Sequence, residues 1–200
     1  MISEADMQKL RLFYCIVAAA VLVPVAAFAA SAVSEGERLG RPCAGCHATD
    51  GYAPGEYIAR IGGQNAEYMT KVMKDFAAGK RKGSVEMSLL AKGYSEADLA
   101  AISEYYAGKP WKNSTNKIDP KKSAAGFKIA KENGCFDCHG TKGEGMDAYP
   151  RIGGQNSGYL HEVLKRYQTG KIESEEMALV KDMSDSQLEA LAQYFSGIRK

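Results

Sequence analysis

The sequence predicts an all-α fold built as two tandem modules, each a few helices wrapped around a bound group. Three observations predict it. The pentapeptide Cys43-Ala44-Gly45-Cys46-His47 returns as Cys135-Phe136-Asp137-Cys138-His139 and uses four of the five cysteines. The hexapeptide Arg60-Ile61-Gly62-Gly63-Gln64-Asn65 returns as Arg151-Ile152-Gly153-Gly154-Gln155-Asn156, and Met87 matches Met177, so one repeat unit runs at a nearly constant offset. Apolar residues elsewhere recur at helical spacing, with no alternating run that would mark a strand.

At the N-terminus, Lys9 and Arg11 precede Leu12 to Val33, a run without a charge that is broken by Pro24 and ends in small residues. This is the pattern of a Sec signal peptide over residues 1–29, with Ala27-Phe28-Ala29 as the cleavage box and a mature start near Ala30. An uncleaved anchor is the other reading, because a run of that length can cross a bilayer. Either way the remaining chain is exported to the periplasm, free there or held at the inner membrane. Cys15 falls inside the run and is read as a plain apolar residue.

The first module spans residues 34–108. Ser34 can cap a short helix leading to Cys43. Asn65 can cap a second that runs to about Ala78 and carries Tyr68, Met69, Val72, Met73 and Phe76 as an apolar stripe. Ser95 with Asp98 opens a third, whose Leu99, Ile102, Tyr105 and Tyr106 face inward. Residues 109–120 have a linker composition, with Pro110, Asn113, Ser114, Thr115 and Asn116. Their Trp111 either packs in the cleft between modules or stays a half-exposed linker aromatic.

The second module spans residues 121–200. Asp119 and Pro120 supply an N-cap and a first-turn proline for its opening helix. Tyr159, Leu160, Val163, Leu164 and Tyr167 repeat the stripe of the first module, and Ser184 with Gln187 opens a last helix bearing Leu188, Leu191, Tyr194 and Phe195. Modules this small bury too little apolar area to be secure alone, so a large group tied covalently into each would act as a staple. The formal net charge is only +2 and is balanced within each module, which excludes a basic field for nucleic acid.

Two thiols three apart share one side of a helical turn, where they can add to the two vinyl groups of one porphyrin, and the adjoining imidazole then reaches the iron. Cys43, Cys46, Cys135 and Cys138 are therefore candidates for covalent attachment of two haem c groups, with His47 and His139 as iron ligands. A zinc half-site or a redox dithiol also uses Cys-x-x-Cys, but neither explains the histidine twice. Each iron needs a sixth ligand. A thioether is soft, raises the potential relative to a second imidazole and closes the iron to small molecules. Met87 and Met177 are the methionines that recur in both copies, whereas Met69, Met73, Met146 and Met183 do not; His161 aligns with Thr70 and is read as a surface residue.

A proximal imidazole normally donates its other N–H to a carbonyl, which Pro150 can supply in the second module and its counterpart Ala59, or Pro54, in the first. Arg60 and Arg151 are candidates to neutralise haem propionates, with Gln64, Gln155, Tyr68 and Tyr159 as hydrogen-bond donors.

With these motifs in place the chain resembles the dihaem cytochromes c4, whose two class I cytochrome c modules each show Cys-x-x-Cys-His, a Gly-Gln turn followed by a helix with an early tyrosine, and a methionine ahead of the last helix. It is also similar to the dihaem subunit of flavocytochrome c sulfide dehydrogenase, notably at Ala91-Lys92-Gly93-Tyr94-Ser95. The resemblance implies electron transfer and no catalysis of its own, with redox proteins as partners: a membrane cytochrome complex, a terminal oxidase or a flavoprotein dehydrogenase. Lys80, Arg81 and Lys82 precede Met87, whereas Glu173, Glu175 and Glu176 precede Met177. If partners dock beside the methionines, the first module meets an acidic protein and the second a basic one.

Overall fold

The extended chain at Ser34 turns into a helix because the serine Oγ accepts the N–H of Glu37 at 3.1 Å, and α1 follows over Glu35–Gly40. A 3-10 turn, Arg41–Cys43, leads directly into α2, Ala44–His47. Asn65 caps α3, Ala66–Ala77, by accepting the N–H of Tyr68 at 2.9 Å. Ser84 caps α4, Val85–Ala91, and a reciprocal Ser95/Asp98 box opens α5, Glu96–Ala107. The computed structural model describes residues 33–146 and 148–199 together with Met7, so the predicted cleavage box and all of its apolar run but Val33 lie outside the described residues.

The second repeat uses the same devices. Asp119 accepts the N–H groups of Lys121 and Lys122, with Pro120 at the first position of α6, Pro120–Glu132. Gly134 turns the chain in the left-handed region at φ 68°, and α7, Cys135–His139, begins at once. Then come α8, Ser157–Gln168, a 3-10 turn over Ala178–Val180 where the first repeat has α4, and α9, Asp185–Gly197, behind a Ser184/Gln187 box. No strand occurs among the described residues, and none of their helices is long and apolar enough to cross a membrane.

In each repeat the first and last helices pack together, α1 on α5 and α6 on α9, while the middle helix packs on the last. Leu99, Ile102 and Tyr106 are buried in the first repeat and Leu188, Leu191 and Phe195 in the second; Tyr105 and Tyr194 are half-buried. The second core is larger, adding Ala130, Leu160, Val180, Met183 and Ala192. Phe136 bridges it to an aromatic group of Phe127 and Tyr194.

The first-to-last crossing depends on one glycine per repeat. A Cβ on Gly36 would fall 2.2 Å from the carbonyl oxygen of Ala101, and one on Gly126 would fall 2.0 Å from that of Ala190. The obstacle is helix backbone, which has little room to yield. Gly126→Ala is therefore expected to force α6 off α9 and cost about 1–3 kcal/mol. In thermal unfolding that is a fall of roughly 2–4 °C per kcal/mol; an unchanged midpoint would show the helices free to separate.

Candidate functional site

In the second repeat the whole Cys-x-x-Cys-His string forms α7, and in the first Cys43 closes the 3-10 turn while Cys46 and His47 lie on α2, so in each case both thiols and the imidazole arise from one short helical stretch. The imidazoles are aimed by backbone: His47 Nδ1 lies 2.8 Å from the carbonyl oxygen of Ala59, and His139 Nδ1 lies 3.0 Å from that of Pro150. A carbonyl only accepts, so Nδ1 carries the proton and Nε2 is the nitrogen left to bind a metal. Burial pushes both imidazoles below their ordinary pKa, which favours the neutral form that a ligand needs. Burial also raises the thiols of Cys43 and Cys135. That is opposite to the shift a redox dithiol requires. Among the described residues no three His, Cys, Asp or Glu side chains gather as a metal cage would.

The matched methionines are set by matched serines. Ser84 Oγ accepts the N–H of Met87 at 3.2 Å, and Ser174 Oγ accepts that of Met177 at 3.3 Å. Each serine hydroxyl also donates to the glutamate two residues on, Glu86 or Glu176. Met87 sits on α4, whereas Met177 immediately precedes its 3-10 turn and packs against the second core.

The Gly-Gly-Gln turns bring the two repeats together. Gly63 N–H and Gly154 N–H each bind the end of their own last helix, at the carbonyls of Tyr106 and Phe195, both at 2.8 Å. The glutamines then cross over. Gln64 Nε2 donates to the carbonyl of Arg151 and its Oε1 accepts the N–H of Arg151, each at 2.8 Å. Gln155 does the same to Arg60, again at 2.8 Å in both directions. Each Oε1 additionally accepts the next residue's N–H, that of Asn65 or Asn156. Asn156 Nδ2 reaches the carbonyls of Gly55 and Ile58, and Trp111 lies over this seam with the Arg151 guanidinium 5.3 Å from its ring centroid. Trp111 is thus half-buried and still seated between the repeats.

This pairing revises the expected roles. Gln64 and Gln155 are clamps between the repeats, their oxygens used by backbone N–H groups and one amide N–H of each given to a carbonyl of the other repeat. Arg60 is buried, with Nε donating to the carbonyl of Lys112 and Nη1 to that of Ala53, both at 3.0 Å. Arg81 is buried as well, so it leaves the docking patch in which the sequence placed it between Lys80 and Lys82. The basic and acidic loops also adjoin, since the Lys82 N–H donates to the carbonyl of Lys171 at 3.1 Å.

The cytochrome c family model matches residues 123–198. Cytochrome c4 of Pseudomonas aeruginosa is 29% identical over 186 residues, covering 86% of this chain and 91% of that protein. The structure of reduced recombinant cytochrome c4 from Pseudomonas stutzeri superposes with a TM-score of 0.73 at 26% identity, over 82% of this chain and 97% of that one. The cytochrome subunit of sulfide dehydrogenase from Chlorobaculum tepidum is 40% identical over 80 residues, covering 40% of this chain and 71% of that protein. The chain belongs to the dihaem cytochrome c4 family.

As a cytochrome c4 relative it carries two covalently bound haem c groups and transfers electrons without catalysing a reaction of its own. The donor set fits that cofactor twice over: two thiols and one pre-oriented imidazole in each Cys-x-x-Cys-His string, with every Cys after residue 33 free of disulfide pairing. Sequence reasoning missed Ser84 and Ser174, although the recurring Ser-x-Glu-Met string carried the signal.

Proposed function

We propose that this chain is a periplasmic electron shuttle in which residues 34–108 and 121–200 each enclose one haem and residues 109–120 join them. Cys43 and Cys46 fix one haem, with His47 and Met87 as iron ligands; Cys135 and Cys138 fix the other, with His139 and Met177. The observation that carries the reading is the matched pair of imidazoles whose Nδ1 atoms are held by Ala59 and Pro150 while Nε2 is left to coordinate. When bound, each haem supplies a one-electron ferric/ferrous couple. The residues do the rest: the carbonyl bonds lock ring orientation and strengthen the imidazoles as donors, and the serine-capped turns present thioethers that favour the ferrous state and exclude competing ligands. The glutamine clamp fixes the two repeats against each other, which would let an electron cross between bound haems without a domain motion.

The segment 1–29 is proposed to be removed on export, and intact mass of the native protein would place the start near Ala30. The same measurement tests the main reading. The parent chain is expected to gain the mass of two haems and to show two haems per chain as the pyridine haemochrome, and a Cys135→Ser/Cys138→Ser variant to gain one. A parent carrying one haem or none would refute the proposal.

A second reading is supported by the similarity to the cytochrome subunit of sulfide dehydrogenase: the chain would accept electrons within a complex with a flavoprotein that oxidises a reduced sulfur compound. Stable co-elution of a flavin-bearing partner from native cells would favour it, and isolation as a lone dihaem protein would favour the free shuttle.

A further inference from the structure

The seam between the repeats holds a charge that neither iron ligation nor the glutamine clamp uses. Arg81 is only 4% exposed, with its guanidinium 5.6 Å from the Phe76 ring centroid and 6.0 Å from that of Tyr167. Tyr68 of the first repeat and Tyr159 and Tyr167 of the second are the titratable groups that act on it most strongly, Tyr167 also through a side-chain hydrogen bond, and no ion pair with a carboxylate forms there among the described residues. Its Nη2 is buried without a hydrogen-bond partner. Burial pushes the Tyr68 hydroxyl well above its ordinary range, so around neutral pH that group offers a dipole and not a counter-charge. Arginine stays charged wherever it is placed.

A buried cation with only phenols and ring faces around it costs several kcal/mol unless an anion completes the site. Arg60, the expected cation, already spends Nε and Nη1 on carbonyls. In the second repeat the matching string Tyr167-Gln168-Thr169-Gly170-Lys171 ends not in arginine but in Ile172, which is 7% exposed. The loops bearing Arg81 and Ile172 touch at the Lys82 N–H to Lys171 carbonyl bond. One guanidinium therefore stands where the pattern would place two, and it stands among residues of both repeats.

We propose that Arg81, with the hydroxyls of Tyr68, Tyr159 and Tyr167, forms a single anion socket that serves the propionate carboxylates of both haems. This rests on the two-haem reading above. A fixed positive charge shared by both centres favours arrival of an electron at each, so it holds both potentials up together. Ile172 keeps the facing position apolar and prevents a second cation from repelling the first.

The test is a spectroelectrochemical titration of holo-protein from the parent, Arg81→Gln, Arg81→Lys and Tyr167→Phe. For Arg81→Gln the reduced-to-oxidised ratio at a fixed potential is expected to fall about tenfold at both haems, ~59 mV for a one-electron couple. Arg81→Lys is expected to keep most of the parent value. Tyr167→Phe removes one hydroxyl without charge and is expected to lower both ratios in the same direction by about threefold, which keeps the question answerable if Arg81→Gln folds poorly. Potentials unchanged in Arg81→Gln, or moved at one haem only, would overturn the shared socket. Where Arg81→Gln folds poorly, unchanged ratios in Tyr167→Phe would do the same. Haem content and the methionine-to-iron band are read on each sample; a parent without two haems would refute the underlying reading instead.

Discussion

Replacing Met87 by alanine is expected to abolish about half of the methionine-to-iron charge-transfer absorbance and to open one ferrous iron to carbon monoxide, while the other haem keeps its parent spectrum. Met177→Ala should do the same at the second centre, and the double variant should lose the band entirely. The thioether favours ferrous iron, so the affected couple is expected to fall by at least tenfold in its reduced-to-oxidised ratio at fixed potential, ~59 mV or more. The two variants should differ in stability. Met177 packs against the second hydrophobic core, alongside Val180 and Leu188, whereas Met87 belongs to neither core cluster. Met177→Ala thus removes packing as well as a ligand, at about 2 kcal/mol or more, and should show the lower unfolding midpoint. Parent-like spectra in both single variants would move the sixth ligand to another residue.

Much of this architecture was legible because its determinants are local. Ser34, Asn65, Ser95, Asp119 and Ser184 each announce a helix start with a side-chain oxygen and a partner within three residues, and the structure places caps at all five. The inward faces of α5 and α9 follow from spacing in the same way. The seam was not legible, because its bonds join residues 87 and 95 positions apart, and nothing near Gln64 or Gln155 in the chain says what their amides meet. Arg81 was misread for a related reason: between Lys80 and Lys82 it looks like part of a basic surface stretch, and its burial is decided by aromatic residues of both repeats. The repeat held a usable hint. An arginine aligned with an isoleucine marks a position that the fold encloses. Gly36 and Gly126 carried a similar one, since a glycine kept in both copies of a helix points to a close backbone crossing.

Removing the clamp should cost more than its modest chemistry suggests. Gln155→Ala breaks both bonds to Arg60 and also the bond from the Asn156 N–H, at a site where the glutamine is 2% exposed. Buried backbone groups left without partners cost about 1–3 kcal/mol each, reduced where water enters the opened seam. A net loss of about 2–4 kcal/mol is expected, which lowers the thermal midpoint by roughly 2–4 °C per kcal/mol. Gln64→Ala should cost somewhat less, because Gln64 is 5% exposed and water reaches its partners sooner. The two rings hold one seam, so the double variant should lose less than the sum of the singles: once either ring is gone, water already solvates part of what the other protected. Hydrogen exchange gives the local readout. The Arg60 and Arg151 N–H groups should be protected in the parent and exchange quickly in the corresponding variants, while the methionine-to-iron bands should stay intact because the histidine and methionine proposed for each iron belong to one repeat. Retained protection at Arg60 in Gln155→Ala, with an unchanged midpoint, would mean that the seam is held by Asn156 and Trp111 instead.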